Sequence, residues 1–262
     1  MTECAGIKVE KIPPFQERID ELNRMIEDAN RIVFFTGAGI STGSGIPDFR
    51  SADGLYSISK EADPEYLLSD GCLVTEPEKF FDYLRSSMDF RVAEPNVAHL
   101  KIAELQRAKE VSVITQNIDG LHEKSHGDKV YPIHGTMGHF YCSHCFYDLY
   151  DPVDVLDGNF DNLDGVPKCP ICGEGTIRPD IVLYGEGMNA SAWDNALKAA
   201  AACDLIIVVG TSLKVYPAAY IPMNCYNKKM VIINREPTHM DYSANLVFRE
   251  DIKDVFSEIK VP

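Results

Sequence analysis

Ile32-Val33-Phe34-Phe35-Thr36-Gly37-Ala38-Gly39 begins as an unbroken apolar run and ends in glycines. Four apolar residues in a row, without alternation, read as a strand buried on both faces, and such strands belong to parallel sheets covered by helices on each side. Glycines directly after the strand let backbone N–H groups approach a ligand closely. The pattern recurs along the chain. Val111-Ser112-Val113-Ile114 runs into Thr115-Gln116-Asn117-Ile118-Asp119, Leu205 to Val209 into Gly210-Thr211-Ser212, and Val231-Ile232-Ile233 into Asn234. Ligands of doubly wound sheets sit outside the carboxyl ends of the strands. The loops 37–50, 116–122, 210–212 and 234–236 are therefore expected to meet in one crevice.

Helical patterns fill the intervals. Phe15, Ile19, Leu22 and Ile26 recur at helical spacing and predict an amphipathic helix over 14–29. Thr75-Glu76-Pro77-Glu78 has the form of a capping box opening a helix with Phe80, Phe81, Leu84 and Met88. Asn96 is placed to cap a helix through Leu105, and Ser191 to Ala202 reads as another. The fold class is α/β: a doubly wound Rossmann-type parallel sheet with a second, smaller domain. The expected large domain comprises 1–50, 92–137 and 179–262. Residues 51–91 (a helical insertion) and 138–178 (a cysteine-bearing module) break the βα rhythm and form the small one.

The chain has 262 residues, 45% of them hydrophobic, with a formal charge of −15 and a pI near 4.8. That acidity repels phosphate backbones and acidic lipid, so nucleic acid and membrane are not expected partners, whereas basic protein segments are compatible. Met1 to Gln16 lacks the basic and apolar regions of a signal peptide, and no apolar run approaches the roughly 20 residues of a spanning helix. The expectation is a cytoplasmic monomer.

Cys142-x-x-Cys145 and Cys169-x-x-Cys172 are separated by 23 residues. Each pair makes a knuckle that aims two thiolates at one point, and four thiolates suit one tetrahedral zinc. Four ligands leave no open position, so the ion would be structural. Cys4, Cys72, Cys203 and Cys225 stand alone and read as inert thiols. An acidic stretch from Asp151 to Asp164 fails as a calcium loop, with Asn162 where glycine and Lys168 where glutamate would be needed.

The glycine loop excludes two functions. Thr42 replaces the third glycine of the dinucleotide fingerprint, and no strand with an acidic end follows about 20 residues on, as a dehydrogenase requires. No Gly-Lys-Ser/Thr follows, so it is not a Walker loop. Taken alone, a plain glycine turn remains open. Ile46-Pro47-Asp48-Phe49-Arg50 adds a guanidinium suited to phosphate and an aromatic suited to a sugar or nicotinamide face. His134, after the short apolar run Val130 to Ile133, is a candidate general base. His99 and His139 read as structural.

In fixed order, Gly37-Ala38-Gly39-Ile40-Ser41, Gly45 to Arg50, Thr115 to His122, His134-Gly135, the four cysteines, Arg178 to Glu186 and Gly210-Thr211-Ser212-Leu213 resemble the sirtuin signature. The resemblance runs from about residue 17 to 255. It implies an NAD-dependent protein-lysine deacylase that consumes NAD as a co-substrate, carries one structural zinc, and releases nicotinamide, free lysine and O-acyl-ADP-ribose. It assigns Ala38, Thr42 and Arg50 to the diphosphate side of NAD, and Gln116 and Asn117 to the nicotinamide ribose. Ile118 and Asp119 would line the nicotinamide pocket. Ser212, Asn234, Arg235, Asp251 and Ile252 would hold the adenosine half, and Gly210 would also contact NAD. Phe49 would cover the reacting sugar, and His134 would deprotonate a ribose hydroxyl. The acylated lysine would arrive in an extended peptide added as a strand between Gly185-Glu186-Gly187 and Leu213 to Tyr216, Val215 included. Val182 and Tyr184 would line the acyl-lysine tunnel.

Family members preferring succinyl or malonyl groups carry a Tyr and an Arg three apart. Phe81 and Leu84 are expected at those places, so neutral acyl groups, acetyl above all, are the expected substrates. Mono-ADP-ribosyl transfer or plain NAD hydrolysis is the nearest rival, and a non-catalytic reader of NAD or acyl-lysine the next.

Overall fold

The computed structural model describes residues 13–48, 54 and 63–262. Six strands form one parallel sheet: β1 (Arg31–Thr36), β2 (Glu110–Thr115), β3 (Val130–Pro132), β6 (Leu205–Val209), β7 (Lys229–Ile233) and β8 (Leu246–Phe248). The spatial order is β3-β2-β1-β6-β7-β8. The chain winds outward from β1 through β2 and β3, then from β6 through β7 and β8 on the other side. The winding direction reverses between β1 and β6, which is where a doubly wound sheet opens a ligand crevice.

Side chains alternate across the sheet, and both faces are covered. Ile32 and Phe34 of β1 pack with Ile19, Leu22 and Ile26 of the first helix (Phe15–Asp28), with Ile102 and Leu105, and with Phe256. Val33 and Phe35 face the other way, onto Ala196 and Ala200 of the helix Ala190–Ala202 and onto Ile221. Two cores, one per face, explain the unbroken apolar strands.

A smaller lobe has its own core. Phe80, Phe81, Leu84 and Met88 pack with Phe140, Val155 and Ile177. Here β4 (Gly135–Cys142) and β5 (Ile177–Ile181) pair antiparallel, with a register shift between Thr136 and Phe140.

Helix and strand positions follow the sequence pattern closely, with two corrections. The expected capping box at Thr75 does not form. Thr75 ends a short helix, Asp70–Thr75, and its hydroxyl donates to the Gly71 carbonyl; the following helix, Pro77–Ser87, has Glu76 at its N-cap with no side-chain cap. Strand β8 is an additional edge strand that only three residues supply, too short to register as a periodic signal. No helix among the described residues is long and apolar enough to cross a membrane.

Candidate active site

All four strand-end loops open into one cleft of about 1240 Å³. Its floor exists because three glycines bring two loops backbone to backbone. A Cβ on Gly37 would lie 2.7 Å from Thr211 Cβ, and one on Gly39 would lie 2.8 Å from Gly210 Cα. Gly210 sits at φ +62°, and a Cβ there would fall 2.3 Å from the Ile40 nitrogen. The Gly39 N–H donates to the Gly210 carbonyl at 2.8 Å, locking the turn after β1 to the end of β6. Two short 3-10 turns follow, Ala38–Ile40 and Thr42–Ser44. The N–H groups of Ala38, Thr42 and Gly43 have no acceptor among the described residues, and all three residues line the cleft. Such a cradle suits a diphosphate.

Polar side chains are cross-linked behind it. Gln116 Nε2 donates to Thr211 Oγ1 (3.1 Å) and to the Thr36 carbonyl (3.3 Å). Asn117 Nδ2 donates to Ser41 Oγ (3.0 Å) and the Gly37 carbonyl (3.3 Å). Ser41 Oγ donates to Asp119 Oδ2 at 2.7 Å, and Asp119 Oδ1 accepts from the Leu121 N–H at 3.0 Å. Burial raises the Asp119 pKa above the usual carboxylate value, against the lowering effect of these bonds. Ser41 and Thr211 hold the cluster together, and the sequence reading did not single them out as site residues. Each is one hydroxyl in a polar loop, and only the meeting of two loops reveals its partner.

His134 lies at the turn from β3 to β4. Its Nδ1 is 2.8 Å from the Gln116 carbonyl oxygen. That oxygen can only accept, so Nδ1 carries the proton and Nε2 keeps the lone pair. Burial pushes the His134 pKa below 6.5, and the bond to Gln116 opposes this only in part. The ring is therefore neutral at pH 7, with its basic nitrogen defined. The other predicted structural histidines differ in setting. His99 is buried edge-on against His122, with ring centres 4.8 Å apart, whereas His139 is half-exposed beside Asp180 at 3.1 Å.

The cleft wall includes Ala38, Thr42, Gln116, Asn117, Ile118, Asp119, His134, Gly210, Ser212, Asn234, Arg235, Asp251 and Ile252. It also includes Val182, Tyr184, Gly185, Glu186 and Val215. Phe49 and Arg50 lie outside the described residues. Arg235 and Asp251 pair at 2.9 Å, and Asp251 caps the helix Ile252–Ser257 through the Lys253 N–H. The Glu186 carboxylate is engaged by Arg178, and its N–H donates to the Leu183 carbonyl at 3.0 Å. One expectation fails. Phe81 and Leu84 are buried in the small-lobe core, and neither lines the cleft; Leu68, Met88 and Phe90 supply that wall instead. Of that helix's two cations, Lys79 pairs with Glu76 on the surface, and Arg85 is turned to Asp161 at 2.7 Å and to the Gly165 carbonyl at 2.9 Å.

The four predicted cysteine sulfurs all lie within 4.8 Å of one another. Cys142 to Cys172 and Cys145 to Cys169 are each 3.7 Å apart, close to the roughly 3.8 Å edge of a tetrahedron of sulfurs with 2.3 Å zinc bonds. Backbone N–H groups of His144, Cys145, Cys172 and Gly175 point at the sulfurs at 3.4 Å, and the Tyr150 hydroxyl donates to Cys169 at 2.9 Å. This set stabilises thiolates, and the donor set fits a zinc ion. β4 runs from Gly135, beside His134, to Cys142, so the base and the metal site lie at opposite ends of one strand.

A family model described as the Sir2 family matches residues 37–217. The chain is 43% identical over 243 residues to an NAD-dependent protein deacetylase of Listeria monocytogenes, covering 92% of this chain and 100% of that protein. It is 42% identical to one of Cutibacterium acnes, covering 92% and 97%. Among solved structures, a Sir2 with a p53 peptide and NAD+ superposes with a TM-score of 0.82 at 33% identity, over 91% of this chain and 95% of that one. A Sir2Tm bound to a propionylated peptide gives 0.81 at 33% identity, over 91% and 95%. The glycine cradle, the histidine at the strand end and the four-sulfur cluster thus occur in a chain that belongs to the Sir2 family.

Proposed function

We propose that this chain is an NAD-dependent protein-lysine deacylase acting on neutral acyl groups. One observation carries the reading: His134 shares the cleft with the glycine cradle, and its Nδ1–H bond to the Gln116 carbonyl leaves Nε2 as a free base. Bound NAD supplies the ribose carbon that takes the acyl oxygen, with nicotinamide as the leaving group. Ala38, Thr42 and Arg50 hold the diphosphate, and Gln116 and Asn117 orient the ribose nearest the chemistry. Ile118 and Asp119 hold the nicotinamide. Gly210, Ser212, Asn234, Arg235, Asp251 and Ile252 hold the adenosine half, and Phe49 screens the sugar from water. His134 Nε2 takes the proton of a ribose hydroxyl, which then attacks the acyl carbon; water completes the cleavage of the bond to the lysine nitrogen, giving free lysine and O-acyl-ADP-ribose.

The acyl-lysine arrives in an extended peptide paired with Gly185, Glu186 and Val215, its side chain between Val182 and Tyr184. Among the described residues, Leu68, Met88 and Phe90 face the cleft from the small lobe without a cation, which suits a neutral acyl group. The four cysteines hold one structural zinc. The proposed domain bounds are 1–50, 92–137 and 179–262 for the large domain, with 51–91 and 138–178 for the small one. The protein acts in the cytoplasm as a monomer.

Incubation with NAD and a panel of acyl-lysine peptides, read by mass spectrometry, tests the reading. O-acyl-ADP-ribose is expected, with acetyl or butyryl turned over faster than succinyl. Nicotinamide release without deacylated peptide would favour ADP-ribosyl transfer or NAD hydrolysis, and faster succinyl turnover would refute the neutral-acyl assignment.

A further inference from the structure

Beyond β5 the chain reverses at residues 182–187, and one buried cation organises the turn. Arg178 grips Glu186 with both ends of its guanidinium, Nη1 to Oε1 at 2.5 Å and Nη2 to Oε2 at 2.9 Å. Nη2 also donates to the Ile181 carbonyl at 3.0 Å, and the guanidinium lies 5.6 Å from the centre of the Tyr141 ring. Glu186 Oε2 in turn accepts the Leu183 N–H at 2.9 Å. A buried ion pair is weak evidence of stabilisation, because desolvation cancels much of its attraction; a planar two-point fork does fix direction.

Its effect shows in the backbone bonds of the turn. The Val182 N–H donates to the His134 carbonyl, that of Leu183 to Glu186, that of Tyr184 to the Leu68 carbonyl, and that of Glu186 to the Leu183 carbonyl. The Tyr184 carbonyl accepts from the Asp70 N–H at 3.0 Å. From Val182 to Glu186, the N–H of Gly185 alone lacks an acceptor among the described residues, and Gly185 lines the cleft at φ +99°. A residue held at that angle presents its main chain only if its neighbours are fixed.

We propose that Arg178 is a positioning residue for the polypeptide substrate: through Glu186 it holds the turn so that Gly185 offers its free N–H to an incoming strand. This rests on the deacylase reading and adds to it a residue that touches neither NAD nor acyl-lysine. The consequence is selective. Val182 and Tyr184 have their own anchors, to the His134 and Leu68 carbonyls, so disturbing Arg178 weakens strand pairing with a peptide and leaves the acyl-lysine tunnel and the NAD cradle in place.

The test compares wild type with Arg178→Lys, which keeps the charge and loses the fork, and with Arg178→Met. Each is assayed on an acetyl-lysine decapeptide and on a single Nα-blocked acetyl-lysine with no flanking residues. The expected result is a tenfold or greater loss of kcat/KM on the decapeptide, carried by KM. On the single residue the loss stays within about threefold, and KM for NAD stays within twofold. Equal losses on both substrates, or a parallel rise in KM for NAD, would reduce Arg178 to a general fold element and overturn the proposal. If Arg178→Met fails to fold, Arg178→Lys decides. Decapeptide affinity by calorimetry separates the two readings: a wild type that binds peptide without turning it over refutes deacylation, while loss of that binding in Arg178→Lys still supports positioning.

Discussion

His134 owes its chemical definition to one carbonyl. Without the Gln116 oxygen either ring nitrogen could carry the proton; with it, Nε2 is the base. His134→Ala should lower deacylation by about 10²–10⁴-fold while NAD still binds, measured as product formation against NAD affinity. Because burial places the His134 pKa below 6.5, the base is already free at pH 7. Activity should therefore hold on a plateau above pH 6.5 and fall as the pH drops through the lowered pKa; a kcat/KM limb centred above 7 would contradict this. His99 makes a stability prediction of the same kind. Its pKa falls to about 4 through burial. Between pH 6.5 and about 4 the unfolded chain binds a proton there that the folded one refuses, so the stability it contributes above 6.5 is lost as acid is added. The stability advantage of wild type over His99→Leu should shrink across that window in urea titrations, and a constant difference would show that His99 does not titrate this way.

Loops and helix ends carry the next set of constraints. Asn96 caps the helix Val97–Ala108 by accepting the Ala98 N–H at 2.9 Å, while its Nδ2 donates to the Ile40 carbonyl at 2.7 Å and to Ser44 Oγ at 3.0 Å. One side chain thus starts a helix and anchors the glycine loop. Asn96→Ala should cost about 1–3 kcal/mol in denaturant unfolding, more than a cap alone, and should weaken NAD binding as well. The glycines separate two kinds of cost. Gly210→Ala meets both a positive φ and the Ile40 nitrogen, whereas a Cβ on Gly45, at φ +85°, meets nothing within 4 Å. Gly45→Ala should lose only about 1 kcal/mol to backbone strain. Gly210→Ala should lose distinctly more, together with NAD affinity; similar melting shifts for the two would argue against the backbone-to-backbone contact.

The two lobes divide stability and chemistry between them. β4 spans the distance, with the histidine turn at one end and a zinc-ligand cysteine at the other. The metal therefore acts through the strand, by securing the lobe that bears Leu68, Met88 and Phe90. Chelation, or Cys169→Ser, should lower the melting temperature and abolish deacylation together, with activity returning on re-addition of zinc. Loss of activity at an unchanged melting temperature would place the metal in the chemistry. Arg85 reinforces this lobe by tying the helix Pro77–Ser87 to Asp161, which keeps that guanidinium inside the lobe, away from acyl selection.

Sheet, helices and cysteine cluster were legible in the sequence because each rests on local regularity. Strands buried on both faces lose their alternation, amphipathic helices repeat at 3.6 residues, and a thiolate knuckle needs its ligands close in the chain. The residues of the cleft were legible through their motifs and their place after strands. The remainder depended on distance between segments. Phe81 and Leu84 sit on the apolar face of an amphipathic helix, whose pattern cannot say whether that face meets the cleft or the lobe's interior, and packing turned both into the core. The partners of Ser41 and Thr211 and the tautomer of His134 arise only where separate loops meet, and the clasp between Arg178 and Glu186 only where the chain turns back on β5. Pattern names the residue types and the strand ends; the direction of a hydrogen bond follows only when the folded backbone brings donor and acceptor within about 3 Å.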